Sequence, residues 1–234
     1  MAMKQIKYNL IVLAIFSIAM GFFESAVVVY IREIYYPNGF EFPLVPFEIK
    51  ILVTELLREV ATLIMLICIA VITGKNLHQR FAMFLFSFGI WDIFYYIFLK
   101  LLIDWPASLL TWDILFLLPV PWIGPVLAPC LLSFTMITFA LLLLSINDKN
   151  NSINIRWIDW LLLITGSLVI IGSFTKDYFL IIFNLSRGRD VGSMMDNLQQ
   201  LVPTEYNWVI FFIGWILILA GIYRIYRKIM KHRI

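Results

Sequence analysis

Residues 8–31, 49–73, 81–103, 122–146, 157–174 and 206–226 form six runs that are apolar almost without interruption. Each is close to the ~20 apolar residues that a helix needs to cross the hydrocarbon of a bilayer. In that medium every backbone N–H and C=O must be paired inside the protein, which leaves helices or a closed barrel. Barrel strands alternate apolar and polar residues, and these runs do not. The expected fold class is therefore all-α. It is a polytopic integral membrane protein with six transmembrane helices, a single transmembrane domain over residues 1–234, and interfacial or re-entrant segments on its outer side.

The composition excludes the alternatives. The chain is 62% apolar and 14% charged, with a mean hydropathy of +0.91, where soluble domains carry about 25% charged residues. A disordered chain, a coiled coil and an ordinary soluble enzyme are all ruled out. The net charge of +3 is small and its basic residues gather at helix ends, so nucleic acid is not an expected partner; the lipid bilayer is. Lys4 and Lys7 precede the first run as they would in a signal peptide. The apolar stretch continues through VVVYI, past any plausible cleavage site, and reads as an uncleaved helix.

Orientation follows from Lys and Arg, which favour the cytoplasmic side. One side collects Lys4, Lys7, Lys75, Arg80, Lys149, Arg156 and the C-terminal Arg224, Arg227, Lys228, Lys231 and Arg233. The other holds Arg32, Lys50, Lys100, Lys176, Arg187 and Arg189. Eleven against six places both termini in the cytoplasm and the chain in the plasma (inner) membrane as a multi-pass protein.

The outer connections have an unusual texture. YYPNGFEFPLVPFE and DWPASLLTWDILFLLPVPW contain prolines that stop a helix from spanning, yet they are too apolar to float in water. Leu109–Leu118 reads as a short interfacial or re-entrant helix. Tyr35, Tyr36, Trp105, Trp112 and Trp122 fit an interfacial aromatic belt, or else a cap over a cavity. The third outer segment, about 175–205, starts with the apolar patch YFLIIFNL and turns polar.

Ionisable groups at membrane depth cost ~2.5–3.5 kcal/mol each on insertion scales, so their distribution carries information. The cores of the last three helices have none, whereas the first three contain Glu24, Glu55, Arg58, Glu59 and Asp92. At 1.5 Å per residue all five fall in one layer ~9–16 Å below the outer surface, although chain direction alternates between the helices. Glu55, Arg58 and Glu59 share a helix face, which Thr62 continues, and Asp92 is followed at i+3 and i+4 by Tyr95 and Tyr96. Lys100 and Asp104 form another i, i+4 pair near the surface. Ser17, Thr62, Ser133, Thr135 and Thr138 read as packing or backbone-bonded residues, and Asp159 as a cap.

Four carboxylates around one buried arginine leave a formal charge near −3, with Arg32 and Lys100 at the rim. Such a charge needs protonation, a bound cation or water. The first expectation is an outward-facing ligand- or ion-binding cluster of Glu24, Glu55, Arg58, Glu59, Asp92, Tyr95 and Tyr96. It would take a cation or a proton-coupled small solute, as a transporter does. The alternative is an intramembrane acid/base enzyme acting on a lipid or isoprenoid, since two carboxyls of different proton affinity suffice for that chemistry. A second alternative is a non-catalytic structural or assembly subunit in which Arg58 clamps three helices together.

No cofactor and no oligomeric state follow from the sequence. Cys68 and Cys130 lie at different depths, and His78 and His232 flank the spans, which speaks against a disulfide, paired-histidine haem or a His/Cys zinc site. Hard cations with oxygen ligands remain open. No GxSxG, HExxH or Gly-rich phosphate loop is present.

Overall fold

The computed structural model describes residues 2–145, 155–185 and 205–231. Its order is α1 (Ala2–Tyr35), α2 (Ile49–Thr73), α3 (Leu77–Ile103), β1 (Trp112–Phe116), β2 (Trp122–Pro125), α4 (Leu127–Leu144), α5 (Trp157–Leu185) and α6 (Trp208–Lys231). The six described helices are each long and apolar enough to cross a membrane. The chain is a multi-pass membrane protein. Large apolar side chains such as Ile15, Phe23, Leu57, Ile64, Phe134, Leu168 and Ile216 stand exposed along these helices, as hydrocarbon-facing residues would.

Helix ends follow local chemistry. α1 runs past the apolar run to Tyr35 and stops before Pro37, because the residue ahead of a proline is pushed out of the α region. α3 starts at the Asn76 cap, whose side chain accepts the Gln79 N–H at 2.9 Å. It ends at Asp104, which adopts a left-handed φ of 51°. α5 extends to Leu185 rather than ending at 174. The patch YFLIIFNL has no breaker, and Thr175 and Tyr178 are buried. The rest of that expected outer segment, 186–204, lies outside the described residues.

The reading of Leu109–Leu118 as a helix is corrected, and with it the strictly all-α class. This segment forms an antiparallel hairpin, pairing Trp112 with Pro125, Asp113 with Gly124, Ile114 with Ile123 and Phe116 with Trp122. Pro119 and Pro121 stop any helix from continuing, so the backbone groups of this apolar stretch find partners across a turn instead. The fourth helix consequently begins at Leu127, not at 122.

α1 packs on α3, α3 on α4 and α5 on α6, with α2 against α3. Two glycines set the spacing near the polar layer. A Cβ on Gly21 of α1 would meet Trp91 O of α3 at 3.0 Å, and one on Gly89 of α3 would meet Ser133 O of α4 at 2.7 Å. An apolar core built around Leu13, Ala70, Ala82, Met83, Phe86, Phe139 and Leu143 closes the end of the bundle away from the hairpin. At α5, Asp159 accepts the Arg156 N–H at 2.9 Å, as a cap does. It also pairs with Arg224 at 3.0 Å and with Lys228, tying α5 to α6.

Candidate functional site

The close approach at Gly21 puts the α1 face carrying Glu24, Val28, Ile31 and Arg32 against α3. There Ser25 Oγ donates to Tyr95 O at 3.0 Å and to Gly21 O at 2.7 Å. α2 closes the third side, and β1 lies across the top. Between them is a cavity of about 100 Å³ lined by Glu24, Arg32, Glu55, Arg58, Glu59, Trp91, Asp92, Tyr95 and Asp113, together with Tyr36, Phe40, Phe47 and residues 114–117. Six of the seven expected site residues meet there: Glu24, Glu55, Arg58, Glu59, Asp92 and Tyr95. Tyr96 does not line the cavity. It is buried behind it, against Tyr95 and Trp105.

The charges are paired unevenly. Arg58 Nη1 pairs with Glu24 across α1 and α2. Its Nε and Nη2 reach Glu55 Oε2 at 2.8 and 2.7 Å, one turn back on α2. Thr62, expected as packing, donates to Glu24 Oε2 at 3.3 Å. Glu59 accepts the backbone N–H of Leu117 with both oxygens, at 2.9 and 3.0 Å, and that of Leu118 also points toward it. Asp92 accepts Ser133 Oγ at 2.7 Å, which the close α3–α4 approach at Gly89 allows. Among the described residues Glu59 and Asp92 make no ion pair.

Two charged residues of this cavity were not part of the expected cluster. The sequence puts Arg32 at the rim and Asp113 inside Leu109–Leu118, the segment expected as a short interfacial or re-entrant helix. Arg32 Nη2 pairs with Asp113 Oδ1 at 3.0 Å. The guanidinium lies 3.7 Å from the Trp105 ring centroid and 4.5 Å from that of Phe40, within cation–π range. Phe40 and Trp105 thus cover the Arg32 guanidinium, and Tyr36 packs edge-on against Phe40 in the cavity lining. Tyr36 accepts the Val45 N–H at 2.9 Å, and burial raises its phenol above the ordinary value. Burial likewise pushes Asp113 up to about 6, against the opposing pull of Arg32. The signal for Asp113 was present in the sequence: a carboxylate in TWDILFLL, flanked by apolar residues on both sides, is not placed in a solvated loop. Lys100 does not reach the cavity. It pairs with Asp104 at 2.7 Å on an exposed surface.

A second cavity, of about 510 Å³, shares the walls Trp91, Asp92, Leu115 and Phe116 with the first. Its remaining lining is Leu63, Phe88, Leu118, Pro119, Trp122, Pro129, Leu132, Ser133, Met136 and Phe174. Ser133 and Asp92 are its polar members, apart from the indole N–H groups. Trp91 is only 5% exposed, and its Nε1 has no hydrogen-bond partner among the described residues; nor has Arg32 Nη1. No three His, Cys, Asp or Glu side chains among the described residues converge to hold a metal ion.

The chain matches no protein family, no curated protein and no solved structure.

Proposed function

We propose that this multi-pass protein of the plasma membrane, with both termini in the cytoplasm, binds a cation, or a small solute together with its proton, in an outward-facing intramembrane chamber. Transport of that ligand is the function this reading assigns. One observation carries it. Among the described residues, Glu24, Glu55, Glu59, Asp92 and Asp113 share a single cavity with two cations, Arg32 and Arg58, and two of these carboxylates, Glu59 and Asp92, make no ion pair. A protonatable or cation-seeking surplus at this depth is costly, and a purely structural clamp does not need it. The polar lining ends near Thr62, above the apolar core, so carriage requires the helices to rearrange rather than an open channel.

A second reading, an intramembrane acid/base enzyme on a lipid or isoprenoid, is favoured by Asp92 and Ser133, which face an apolar cavity of about 510 Å³. In that reading Asp92 and Glu59 are the acid and base.

The test uses the full-length protein in phosphatidylcholine nanodiscs, titrated with Na⁺, K⁺ and ethanolamine between pH 5 and 8, with heat and proton exchange recorded. Saturable binding with linked proton release is expected, lost in Glu59→Gln and Asp92→Asn. Proteoliposomes carrying a pH-sensitive dye then report whether the bound solute crosses. If no binding is found with any of these probes and the nearly isosteric variants behave as wild type in the cell, the cluster is structural.

A further inference from the structure

We propose that the two cavities form one bipartite site for an amphiphile. Its head carries an amine with acceptor oxygens beside it and sits in the charged chamber; its tail fills the larger cavity. This deepens the binding reading above by naming the ligand class, and it rests on that reading.

Four observations converge on it. The first is size. Ligand sites commonly span ~300–1,000 Å³. The charged chamber, at about 100 Å³, suits a head group, whereas the adjoining cavity, at about 510 Å³, lies in the range for an organic ligand. The second is continuity. Trp91, Asp92, Leu115 and Phe116 line both cavities, so the two adjoin across these four side chains, and a molecule that reaches past them would occupy both. The third is charge. Five carboxylates against two guanidiniums favour an ammonium over a phosphate monoester, and Glu59 and Asp92 are the two without an ion pair among the described residues. The fourth is the unmatched donors. Trp91 Nε1, at the junction, and Arg32 Nη1, in the chamber, are buried without acceptors among the described residues. Donors buried in this way are rare and costly, and acceptor oxygens between the amine and the tail would satisfy them. Hydroxyl oxygens of a long-chain amino alcohol and phosphate oxygens of an ethanolamine lipid both meet this requirement.

The apolar cavity is hydrophobic enough for a chain. Leu63, Phe88, Leu132 and Met136 supply its wall from three different helices, and Asp92 with Ser133 is where head and tail would meet. An ion or small polar solute alone has no use for this second space.

The experiment photolabels the full-length protein in phosphatidylcholine nanodiscs with sphinganine carrying a diazirine in its chain. Labelling is mapped by mass spectrometry. The competitors are unlabelled sphinganine, lysophosphatidylethanolamine, hexadecanol, hexadecyl phosphate and ethanolamine. Label is expected on peptides covering 63, 88–92 and 115–136. The two long-chain amines should compete at least about tenfold better than hexadecanol or hexadecyl phosphate, the scale of one hydrogen bond to a charged group. The better of the two identifies hydroxyl or phosphate as the source of the acceptor oxygens. Leu132→Trp, and independently Leu63→Phe from the opposite wall, should remove the label while leaving ethanolamine binding and its proton release intact. Two filling variants guard against one failing to fold. Preference for hexadecyl phosphate overturns the amine head. Ethanolamine competing as well as sphinganine, or labelling unchanged by both filling variants, overturns the tail assignment while the small-solute reading survives. Absence of both labelling and ethanolamine binding overturns both.

Discussion

Arg58 of α2 pairs with Glu24 of α1 while its other face holds Glu55, so a single guanidinium joins two helices that otherwise pack mainly on α3. Around it the chamber takes shape, and its removal strands two buried carboxylates.

Arg58→Leu should therefore be severe, costing ~3–5 kcal/mol, the range for breaking a buried pair from one side. Replacing Glu24, Glu55, Arg58, Glu59 and Asp92 together by apolar residues should recover folded protein, since apolar replacement of a whole buried ionic set is often neutral or stabilising. Size-exclusion profiles and thermal unfolding of both variants check this. If the cluster works as proposed, the rescued protein folds yet lacks binding and cellular activity. Restored activity would point to glue.

Glu59 anchors the hairpin through the Leu117 N–H. Glu59→Leu should orphan that donor at a cost of ~1–3 kcal/mol and speed hydrogen exchange at the Leu117 amide. Glu59→Gln keeps an acceptor there, so its exchange should stay near wild type while binding is lost. Equal exchange in both variants would show that Glu59 does not hold the hairpin.

Asp113 gives a pH prediction. Its carboxyl is held at about 6 in the folded chain, above the ordinary 3.8, so the folded state keeps this proton to higher pH than the unfolded state does. That contribution to stability is fully present below about pH 4 and is lost as pH rises through about 6. Asp113→Asn cannot titrate, and its thermal stability should vary less than wild type across this window. Thermal unfolding at half-unit pH steps measures the difference; superimposable pH profiles would rule Asp113 out as the source.

Gly166 of α5 and Gly214 of α6 face each other. A Cβ on either would lie 2.7–2.8 Å from the carbonyl oxygen of the other. Alanine at either position must push the backbones apart and should cost ~1–3 kcal/mol, the usual range for overpacking. Because neither α5 nor α6 lines the charged chamber, ethanolamine affinity of the folded fraction should be unchanged.

Reporter fusions after Ile234 and within 185–200 should report opposite sides of the membrane, with the C-terminal fusion cytoplasmic. Agreement between the two would refute the proposed orientation.

The sequence alone determined that this chain forms six bilayer-length helices, because in hydrocarbon a long apolar run has no other way to pair its backbone. It also marked Glu24, Glu55, Arg58, Glu59 and Asp92 as one layer, since helical rise converts residue number into depth. Tertiary structure decided what depth and periodicity leave open, namely which faces meet. Gly21 and Gly89 admit close helix contacts, but only the packed bundle shows that they bring Ser133 to Asp92 and leave Tyr96 behind the wall. The hairpin was hidden for a similar reason. Strand pairing between residues 112–116 and 122–125 is a relation between two segments, and neither shows it alone. Asp113 therefore joins Arg32 through the pairing of β1 with β2, and the apolar cavity beside Asp92 exists only once α2, α3, α4, α5 and the hairpin stand around it.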